Sequence, residues 1–202
     1  MINKDIKDLI TGMVISDAHI EKGKLSKNAR LKFKQKNRGF VNHIYDQLNP
    51  TGVVKTPVRE ELQKLNSKVF SSYVFKTTVH TYFTELHKKW YRQQDGKNIK
   101  IIPADIMELL TARALAYFIA GDGSYCKTNG VVTLCTDSFT KTEVRLLIKT
   151  LATNFGIKST LMACTRPNGY QYRIRIARKE VELLQKVTKD YMPTMMLYRI
   201  GL

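Results

Sequence analysis

Leu9-Ile-Thr-Gly-Met-Val-Ile-Ser-Asp17-Ala18 and Ala114-Leu-Ala-Tyr-Phe-Ile-Ala-Gly-Asp122-Gly123 are the two stretches that decide the fold. Each is apolar, rich in small residues and free of charge until a single aspartate near its end. In both, residues that face the same way recur at the i, i+3, i+4 and i+7 spacing of a helix. The pattern therefore predicts two helices.

Small residues in these two helices predict a close contact between them. Gly12 and Ser16 in the first helix, and Ala116 and Ala120 in the second, leave little side chain on the helix surface. A glycine inside a helix costs about 1 kcal/mol relative to alanine, and close packing of two backbones would offset that cost. The alternative is that both are ordinary core helices with solvated ends.

Each predicted helix ends with a carboxylate, from Asp17 and from Asp122. A helix C-terminus carries partial negative charge and favours cations, so an aspartate there is unfavourable. Two such ends placed together would repel each other unless a cation lay between them. Because the pattern occurs twice, it favours a bound cation over two solvated ends.

Composition and charge indicate a globular protein with a polyanionic partner. The 202 residues are 43% apolar and 25% charged, which suits one large domain or two small ones. Lysine and arginine number 34 against 17 acidic residues, a formal net charge of +17. This excess favours nucleic acid over an anionic membrane surface. No apolar run approaches the roughly 20 residues of a membrane-spanning helix, so we expect no membrane partner.

Targeting and cysteine signals favour an intracellular protein. The first residues lack the basic and then apolar order of a signal peptide. The cysteines, at positions 126, 135 and 164, are odd in number and form no CxxC pair. They suggest neither a disulfide framework nor a zinc site, and we expect buried, reduced thiols.

Strict alternation from Arg30 to Lys36 predicts a strand with one cationic face. Period two places four cations on one face: Arg30, Lys32, Lys34 and Lys36. The other face carries Leu31, Phe33 and Gln35. Without a compensating carboxylate, these cations favour a bound phosphate over a merely solvated face. Tyr170–Ile176 alternates in the same way and places on one face Gln171, Arg173 and Arg175.

The order of predicted elements indicates an internal duplication. Each half reads helix, hairpin, helix, hairpin, helix, and the offset between Asp17 and Asp122 is about half of the 202 residues. The second hairpin of the first half is predicted from residues 53–59 and 68–78. We predict an N-terminal unit at residues 1–92, a linker at 93–104 and a C-terminal unit at 105–202.

Both helix-forming stretches resemble the signature helices of single-chain, intron-encoded LAGLIDADG homing endonucleases. Ile10-Thr-Gly-Met-Val-Ile-Ser-Asp-Ala18 and Leu115-Ala-Tyr-Phe-Ile-Ala-Gly-Asp-Gly123 carry the resemblance, which covers nearly the whole chain. It implies an α+β fold of two pseudo-symmetric αββαββα units, with antiparallel, saddle-shaped sheets over DNA and two central packed helices. It also implies a monomer that acts as a pseudo-dimer, encoded in a mitochondrion or chloroplast or made in a prokaryotic cytoplasm.

The resemblance implies cleavage of both DNA strands across the minor groove with a divalent metal. The expected ion is Mg²⁺, for which Ca²⁺ or Mn²⁺ could substitute in the sites. Asp17 and Asp122 match the catalytic, metal-binding carboxylates, and the carbonyl oxygens of Ser16 and Gly121 are further ligands. This agrees with the chemistry of Mg²⁺, which combines one or two carboxylates with phosphate oxygens.

Four more positions match catalytic places of the family. Gln35 matches the polar residue that orients the attacking water, and Asp137 occupies its place in the second half. An aspartate there departs from the family pattern and would either add a metal ligand or leave the two sites unequal. Lys100 matches the basic residue beside the reacting phosphate. Its counterpart is Tyr198 or Arg199, of which the charge favours Arg199.

DNA contacts are expected from basic and polar side chains on the sheets. The candidates are Arg30, Lys32, Lys34, Lys36, Lys55, Arg59, Lys68, Lys76, Lys127, Lys158, Gln171, Arg173 and Arg175. Arginine and glutamine can read base edges, whereas lysine more often contacts phosphate.

Two other functions compete with DNA cleavage. Some proteins of this fold assist splicing of their own intron, so an RNA-binding maturase with intron RNA as partner is the main alternative. A DNA-binding module without catalysis is the third possibility. The presence of both Asp17 and Asp122 favours cleavage, because neither alternative needs a cation at the helix ends.

Overall fold

Two compact units make up the protein. The computed structural model describes residues 2–23, 25–65, 68–167 and 169–202. One unit comprises Met1–Lys7 and Asp17–Lys89, and the other comprises Asp8–Ser16 and Trp90–Leu202. Most of the first signature helix therefore belongs to the unit that contains the second. The sequence boundaries at residues 92 and 105 stay a prediction about the duplication.

The first unit is built on a four-stranded antiparallel sheet. The strands are β1 (His19–Glu21), β2 (Arg30–Gln35), β3 (Arg59–Leu65) and β4 (Lys68–Lys76), in the order β1-β2-β4-β3. Between the two hairpins the chain forms α2 (Arg38–Leu48), and after them it forms α3 (Thr81–Trp90). Leu31 and Phe33 are fully buried, whereas Lys32 and Lys34 are half-buried, which confirms the alternation predicted for this strand.

The second unit repeats the same plan. It contains most of α1 (Lys4–Ile15), then β5 (Tyr91–Gln94), β6 (Lys97–Lys100), α4 (Ile106–Leu109) and α5 (Ala112–Asp122). Its sheet has the order β7-β8-β10-β9, from β7 (Gly123–Cys126), β8 (Val131–Leu134), β9 (Ser159–Arg166) and β10 (Gly169–Ile176). The remaining helices are α6 (Lys141–Phe155), α7 (Arg178–Thr188) and the 3-10 helices Lys189–Tyr191 and Thr194–Ile200. Both sheets share one strand order, and the predicted α+β fold is confirmed.

Each unit has an apolar core of its own. In the first, the ring centroid of Phe33 lies 5.6 Å from that of Phe40 and 6.0 Å from that of Phe75. In the second, residues 114–120 of α5 are each exposed by 2% or less. Among the helices of the described residues, none has both the length and the apolar character needed to cross a membrane.

Equivalent places in the two units use equivalent residues. After α2, Gly52 takes a φ of 76°, and at the end of α6, Gly156 takes a φ of 71°. A positive φ carries no steric penalty for glycine. Gly52 ends the 3-10 helix Asn49–Thr51 that follows α2, and Gly156 ends α6 directly. The two glycines therefore end the helical segments at similar places in the two units.

The second hairpin of the first unit begins later than predicted. Its first strand starts at Arg59 instead of residue 53, although Val54 forms an isolated bridge with Thr77. Pro57 lies between them and has no N–H to donate to a ladder, which explains the late start.

The polar segment before residue 101, part of which was predicted as linker, forms the hairpin β5-β6. Asp95 and Gly96 form its turn, with φ values of 49° and 71°. Asp-Gly is a strong signal for a two-residue hairpin turn, so the sequence contains enough information to predict this hairpin.

Candidate active site and nucleic-acid surface

Asp17 and Gln35 meet in the first unit. The first signature helix, α1, ends at Ile15, so Asp17 lies in the turn after the helix and not in its last turn as predicted. Nε2 of Gln35, the last residue of β2, donates to Oδ2 of Asp17 at 2.8 Å. Oε1 of the same amide accepts from the backbone N–H of Lys36 at 2.7 Å. Since that donor fixes the amide oxygen, the amide nitrogen must face the carboxylate.

A basic cleft of about 310 Å³ lies beside this pair. Its walls include the side chains of Lys34 and Lys36 together with Ser71 and Ser72. Nζ of Lys36 lies 5.4 Å from the ring centroid of Phe70. Cations and hydroxyls that line one cleft can bind a phosphate group, and here they adjoin the carboxylate of Asp17.

Lys100 binds the C-terminal end of α1 within the second unit. Its Nζ donates to the carbonyl oxygen of Val14 at 2.8 Å and to that of Ser16 at 3.0 Å. The last carbonyls of a helix lack partners within the helix and carry partial negative charge. The ammonium group therefore satisfies both the hydrogen bonding and the charge of this helix end.

Arg199 does the same at the end of the other signature helix, α5. Nη1 of Arg199 donates to the carbonyl oxygen of Gly123, the residue that follows α5. Its Nε is buried and has no hydrogen-bond partner within the described residues. Tyr198 is 53% exposed, and its ring centroid lies 5.4 Å from the guanidinium carbon of Arg199. The structure thus brings Arg199 to the helix end.

The two signature helices are in very close contact at Gly12. A Cβ atom at this position would lie 2.2 Å from the carbonyl oxygen of Ala114 and 2.8 Å from Cβ of Tyr117. The predicted close approach of the backbones is therefore present, and glycine is required there. Ala116 and Ala120 are fully buried, and their part in the helix contact stays a prediction.

The oxygen donors predicted for metal lie at both helix ends. Ser16 is buried, and its hydroxyl donates back to the carbonyl oxygen of Gly12 at 3.0 Å. Asp122 is the last residue of α5, is half-buried, and accepts from the amide of Cys135 through its own carbonyl oxygen at 2.9 Å. Gly121 before it is buried. Across the part of the chain that the structure describes, no three His, Cys, Asp or Glu residues cluster to hold a metal by themselves.

Asp137, predicted to take the place of Gln35 in the second half, lies outside the strands and pairs with an arginine. It lies in a turn beyond the end of β8 and not on the inward face of a strand. Its two carboxylate oxygens accept from Nε and Nη2 of Arg173 at 2.7 and 2.5 Å. The sequence prediction paired Asp137 with Gln35, but the structure gives the two side chains different partners.

The cationic face of β2 contains carboxylates that sequence analysis missed. Glu21 of β1 pairs with Arg30 at 3.2 Å, Lys32 at 3.9 Å and Lys76 at 3.2 Å. In addition, Glu61 of β3 accepts from Lys34 at 3.0 Å. The expectation of uncompensated cations is therefore wrong. Glu21 comes from β1, which pairs with β2, and Glu61 comes from β3, which pairs with β4. Only the strand order and the register reveal these two carboxylates.

The same pairing lowers the pKa of Glu21. Partial burial alone would raise the pKa, but the hydrogen bonds and charges of Lys76 and Arg30 outweigh it and hold the pKa below its usual value. In the pair formed by Glu61, the hydrogen bond from Lys34 is the main reason that the pKa of the carboxyl is lowered. Even so, cations outnumber acids on this face.

The other predicted DNA-binding residues lie in strands or loops of both units. Exposed members are Lys55, Arg59, Lys68, Lys127, Lys158 and Arg175, and half-buried ones are Gln171 and Arg173. On β10, Gln171, Arg173 and Arg175 alternate with Tyr172 and Ile174, and Ile174 and Ile176 are fully buried. The predicted alternation of this strand is confirmed.

The cysteines are more accessible than predicted. Cys126 is exposed, while Cys135 and Cys164 are half-buried. Cys164 pairs with Gln171 in the register of β9 and β10, so it shares a face with the predicted DNA contacts. The expectation of buried thiols is wrong. Cys126 and Cys164 lie on strands that expose one face, and Cys135 lies just beyond the end of β8.

The whole arrangement matches a known family. A sequence model of the LAGLIDADG DNA endonuclease family matches residues 7–184. The chain belongs to this family. The LAGLIDADG resemblance of the two helix-forming stretches is thereby confirmed.

Two relatives of this LAGLIDADG protein have names that state different functions. Cytochrome b mRNA maturase bI2 of Saccharomyces cerevisiae is 29% identical over 206 residues, which cover 99% of this chain and 48% of the maturase. DNA endonuclease I-ChuI of Chlamydomonas applanata is 26% identical over 205 residues, which cover 96% of this chain and 94% of that enzyme. The chain therefore spans about half the length of the maturase and nearly all of the endonuclease.

A solved structure of the same family is similar throughout. The homing endonuclease I-WcaI bound to its DNA recognition sequence matches with a TM-score of 0.88 at 25% identity, covering 99% of this chain and 87% of that one. The LAGLIDADG fold therefore extends over the full length of this chain.

Proposed function

We propose that this LAGLIDADG protein is a site-specific homing endonuclease, which hydrolyses one phosphodiester in each strand of a long, asymmetric DNA site. One repeated observation supports this above all. One aspartate lies in the turn directly after α1 and the other ends α5, and a basic side chain binds nearby carbonyl oxygens: Lys100 for α1 and Arg199 for α5. The similarity to I-ChuI and I-WcaI over nearly the whole chain supports double-stranded DNA as the partner.

The donor set at the helix ends fits a divalent metal, for which Mg²⁺ is our proposal. Asp17 and Asp122 would each contribute a carboxylate oxygen at its own helix end, with the carbonyl oxygens of Ser16 and Gly121 as further donors. These are hard oxygen ligands, too few to enclose an ion, and Mg²⁺ sites commonly combine such sets with phosphate oxygens and waters. When bound, the ion would activate water and stabilise the leaving oxygen.

The side chains around these donors orient the reacting groups. Gln35 fixes the direction of the Asp17 carboxylate through its 2.8 Å hydrogen bond and presents an amide near the place of an attacking water. Lys100 and Arg199 offset the negative charge of the helix ends, which otherwise oppose an incoming phosphate. The basic faces of the sheets bind the phosphate backbone, with an affinity that falls as salt rises.

A plasmid cleavage assay tests the proposal. The substrate carries the joined-exon sequence at which the protein's own intron is inserted, and a plasmid without that sequence is the control. Linear product should form with Mg²⁺, and none should form with a chelator or with the control plasmid. Specific binding of the plasmid without any metal-dependent break would show a DNA-binding module and refute the endonuclease.

A maturase function has separate support from the 29% identity to a cytochrome b mRNA maturase over 99% of this chain. It predicts tight, specific binding of the intron RNA and faster splicing in its presence. Splicing assistance without cleavage would make it the main function. Both activities together would indicate a dual role.

A further inference from the structure

We propose that Asp137 is a positioning residue, which fixes the guanidinium of Arg173 so that it reads one base pair of the DNA. On this view the second half of the protein has no counterpart of Gln35. The inference rests on the proposed function, because it requires DNA to lie on the sheet of the second unit.

The contact between the two side chains has the geometry of a strong, oriented pair. Nε of Arg173 donates to Oδ1 of Asp137 at 2.7 Å, and Nη2 donates to Oδ2 at 2.5 Å. Two parallel hydrogen bonds fix the plane of the guanidinium as well as its position. The hydrogen bond that Arg173 donates to Asp137 is also the main reason that the pKa of Arg173 is raised above its usual value.

The backbone around Asp137 is held on both sides. The hydroxyl of Thr136 donates to the carbonyl oxygen of Tyr172 at 2.6 Å, so the turn is tied to β10 next to Arg173. On the other side, the amide of Phe139 donates to the carbonyl oxygen of Thr136 at 3.0 Å, and the ring of Phe139 is buried. The carboxylate is therefore placed by the fold before any ligand binds, and Arg173 is oriented in advance.

The remaining donors of Arg173 suit a base edge. A guanidinium has five N–H donors, and Asp137 accepts two of them from one side of the fork. The other three belong to Nη1 and Nη2, which form the outer end of the group. Guanine presents two acceptors, N7 and O6, in the major groove, and a guanidinium end pairs with both. The side chain of Arg173 is 26% exposed, so part of it is accessible to a ligand.

The carboxylate of Asp137 also makes Arg173 less suited to contact a DNA phosphate. A negative charge beside the guanidinium weakens its attraction to a phosphate, so the arginine is less suited to a backbone contact. Lys34 differs, since its compact ammonium pairs with Glu61 at a single 3.0 Å contact and carries no fixed plane. Arg30 and Arg59 pair with Glu21 and Glu61 through one hydrogen bond each. Two parallel hydrogen bonds fix the guanidinium of Arg173, and this difference supports its role as a specificity determinant.

A double-mutant cycle measures the inference. In a binding competition, DNA sites that each differ from the target at one base pair compete for the protein. The competition is carried out with wild type, Asp137→Asn, Arg173→Ala and the double variant. Glu182→Gln removes the same charge from an exposed position of α7 and is the matched control. Asp137→Asn should reduce discrimination about tenfold at one base pair, the one affected by Arg173→Ala, and should add nothing in the Arg173→Ala background.

Different outcomes separate this inference from the proposed function. Binding competition requires no cleavage, so it remains informative even if wild type fails to cut DNA. If Asp137→Asn left the base preferences unchanged but slowed cleavage of one strand, Asp137 would belong to the catalytic site. This result would overturn the inference and still support the endonuclease function. The inference would also be overturned if Asp137→Asn reduced base discrimination equally in the wild-type and the Arg173→Ala backgrounds. If Asp137→Asn fails to fold, Arg173→Lys, which keeps the charge and loses the fork, should relax the same base pair.

Discussion

The amide of Gln35 donates a 2.8 Å hydrogen bond to the carboxylate of Asp17. This bond joins the end of a strand to the turn after α1, two segments 18 positions apart in the chain. It orients the first catalytic carboxylate of the proposed endonuclease. If Asp137 serves Arg173, as inferred above, the two halves orient their carboxylates differently, and the two strands of the DNA should respond differently to substitutions.

Gln35→Ala should slow cleavage of one DNA strand about 100-fold, because a small misplacement of reacting groups has effects of this size. Nicked plasmid should then accumulate before linear product, as followed on agarose gels. Gln47→Ala, at an exposed position of α2, serves as the control and should cut like wild type. Equal slowing of both strands would contradict a role limited to one site.

Asp17→Asn should abolish double-strand cleavage because the amide is a poor metal ligand. Its affinity for DNA should stay within about tenfold of wild type, which corresponds to about 1.4 kcal/mol. Filter binding and plasmid cleavage measure the two effects separately. Asp46→Asn makes the same charge change on an exposed part of α2 and is the control. Loss of folding in Asp17→Asn would favour a purely structural role for this residue.

Gly12→Ala should lower the free energy of unfolding by about 2 kcal/mol or more, since overpacking at a rigid contact is destabilising. The added Cβ would meet the carbonyl oxygen of Ala114 at 2.2 Å, and a backbone atom cannot rotate away. Urea unfolding followed by circular dichroism measures the change. Gly23→Ala is the control, because its nearest neighbour would be Cβ of Ser26 at 3.6 Å. Similar losses in both variants would show that the helix contact is not the cause.

Glu21→Gln should destabilise the protein near neutral pH by no more than about 1 kcal/mol, the range of solvent-screened ion pairs. The folded pKa of Glu21 lies below the usual 4.5, so its contribution is present above that pH and is lost as the pH falls through the folded pKa. The difference between variant and wild type should therefore shrink on acidification, as measured by urea unfolding at several pH values. Glu85→Gln removes an exposed carboxylate paired with Lys88 and should show little difference at any pH. A difference that grows toward acid would contradict the assignment.

Local patterns in the sequence were enough to predict much of the fold. The burial of Leu31 and Phe33 follows from period two, and the close approach at Gly12 follows from a glycine in an apolar helix. The signal for the Asp95-Gly96 turn is also local, so the hairpin of residues 91–100 was predictable from the sequence although our prediction did not include it. In each case, neighbouring residues contain all the information.

Long-range pairing explains what sequence analysis missed at the candidate site. Glu21 compensates the cations of β2 only because β1 and β2 pair in the register that sets Glu21 opposite Arg30. Asp137 meets Arg173 because β8 pairs with β10, although 36 positions separate the two residues. No window of sequence shows such contacts, and a single chain offers no covariation from which to infer them.

The hairpin of residues 91–100 has a consequence for protein engineering. Its last residue, Lys100, binds the carbonyl oxygens of Val14 and Ser16, so it is a structural clamp on α1 and not a replaceable tether. A chimaera that joins halves of two related enzymes should therefore inherit this hairpin and residues 8–16 from the same parent. Exchange of the hairpin for a flexible glycine-serine tether would remove the lysine that holds the first helix end.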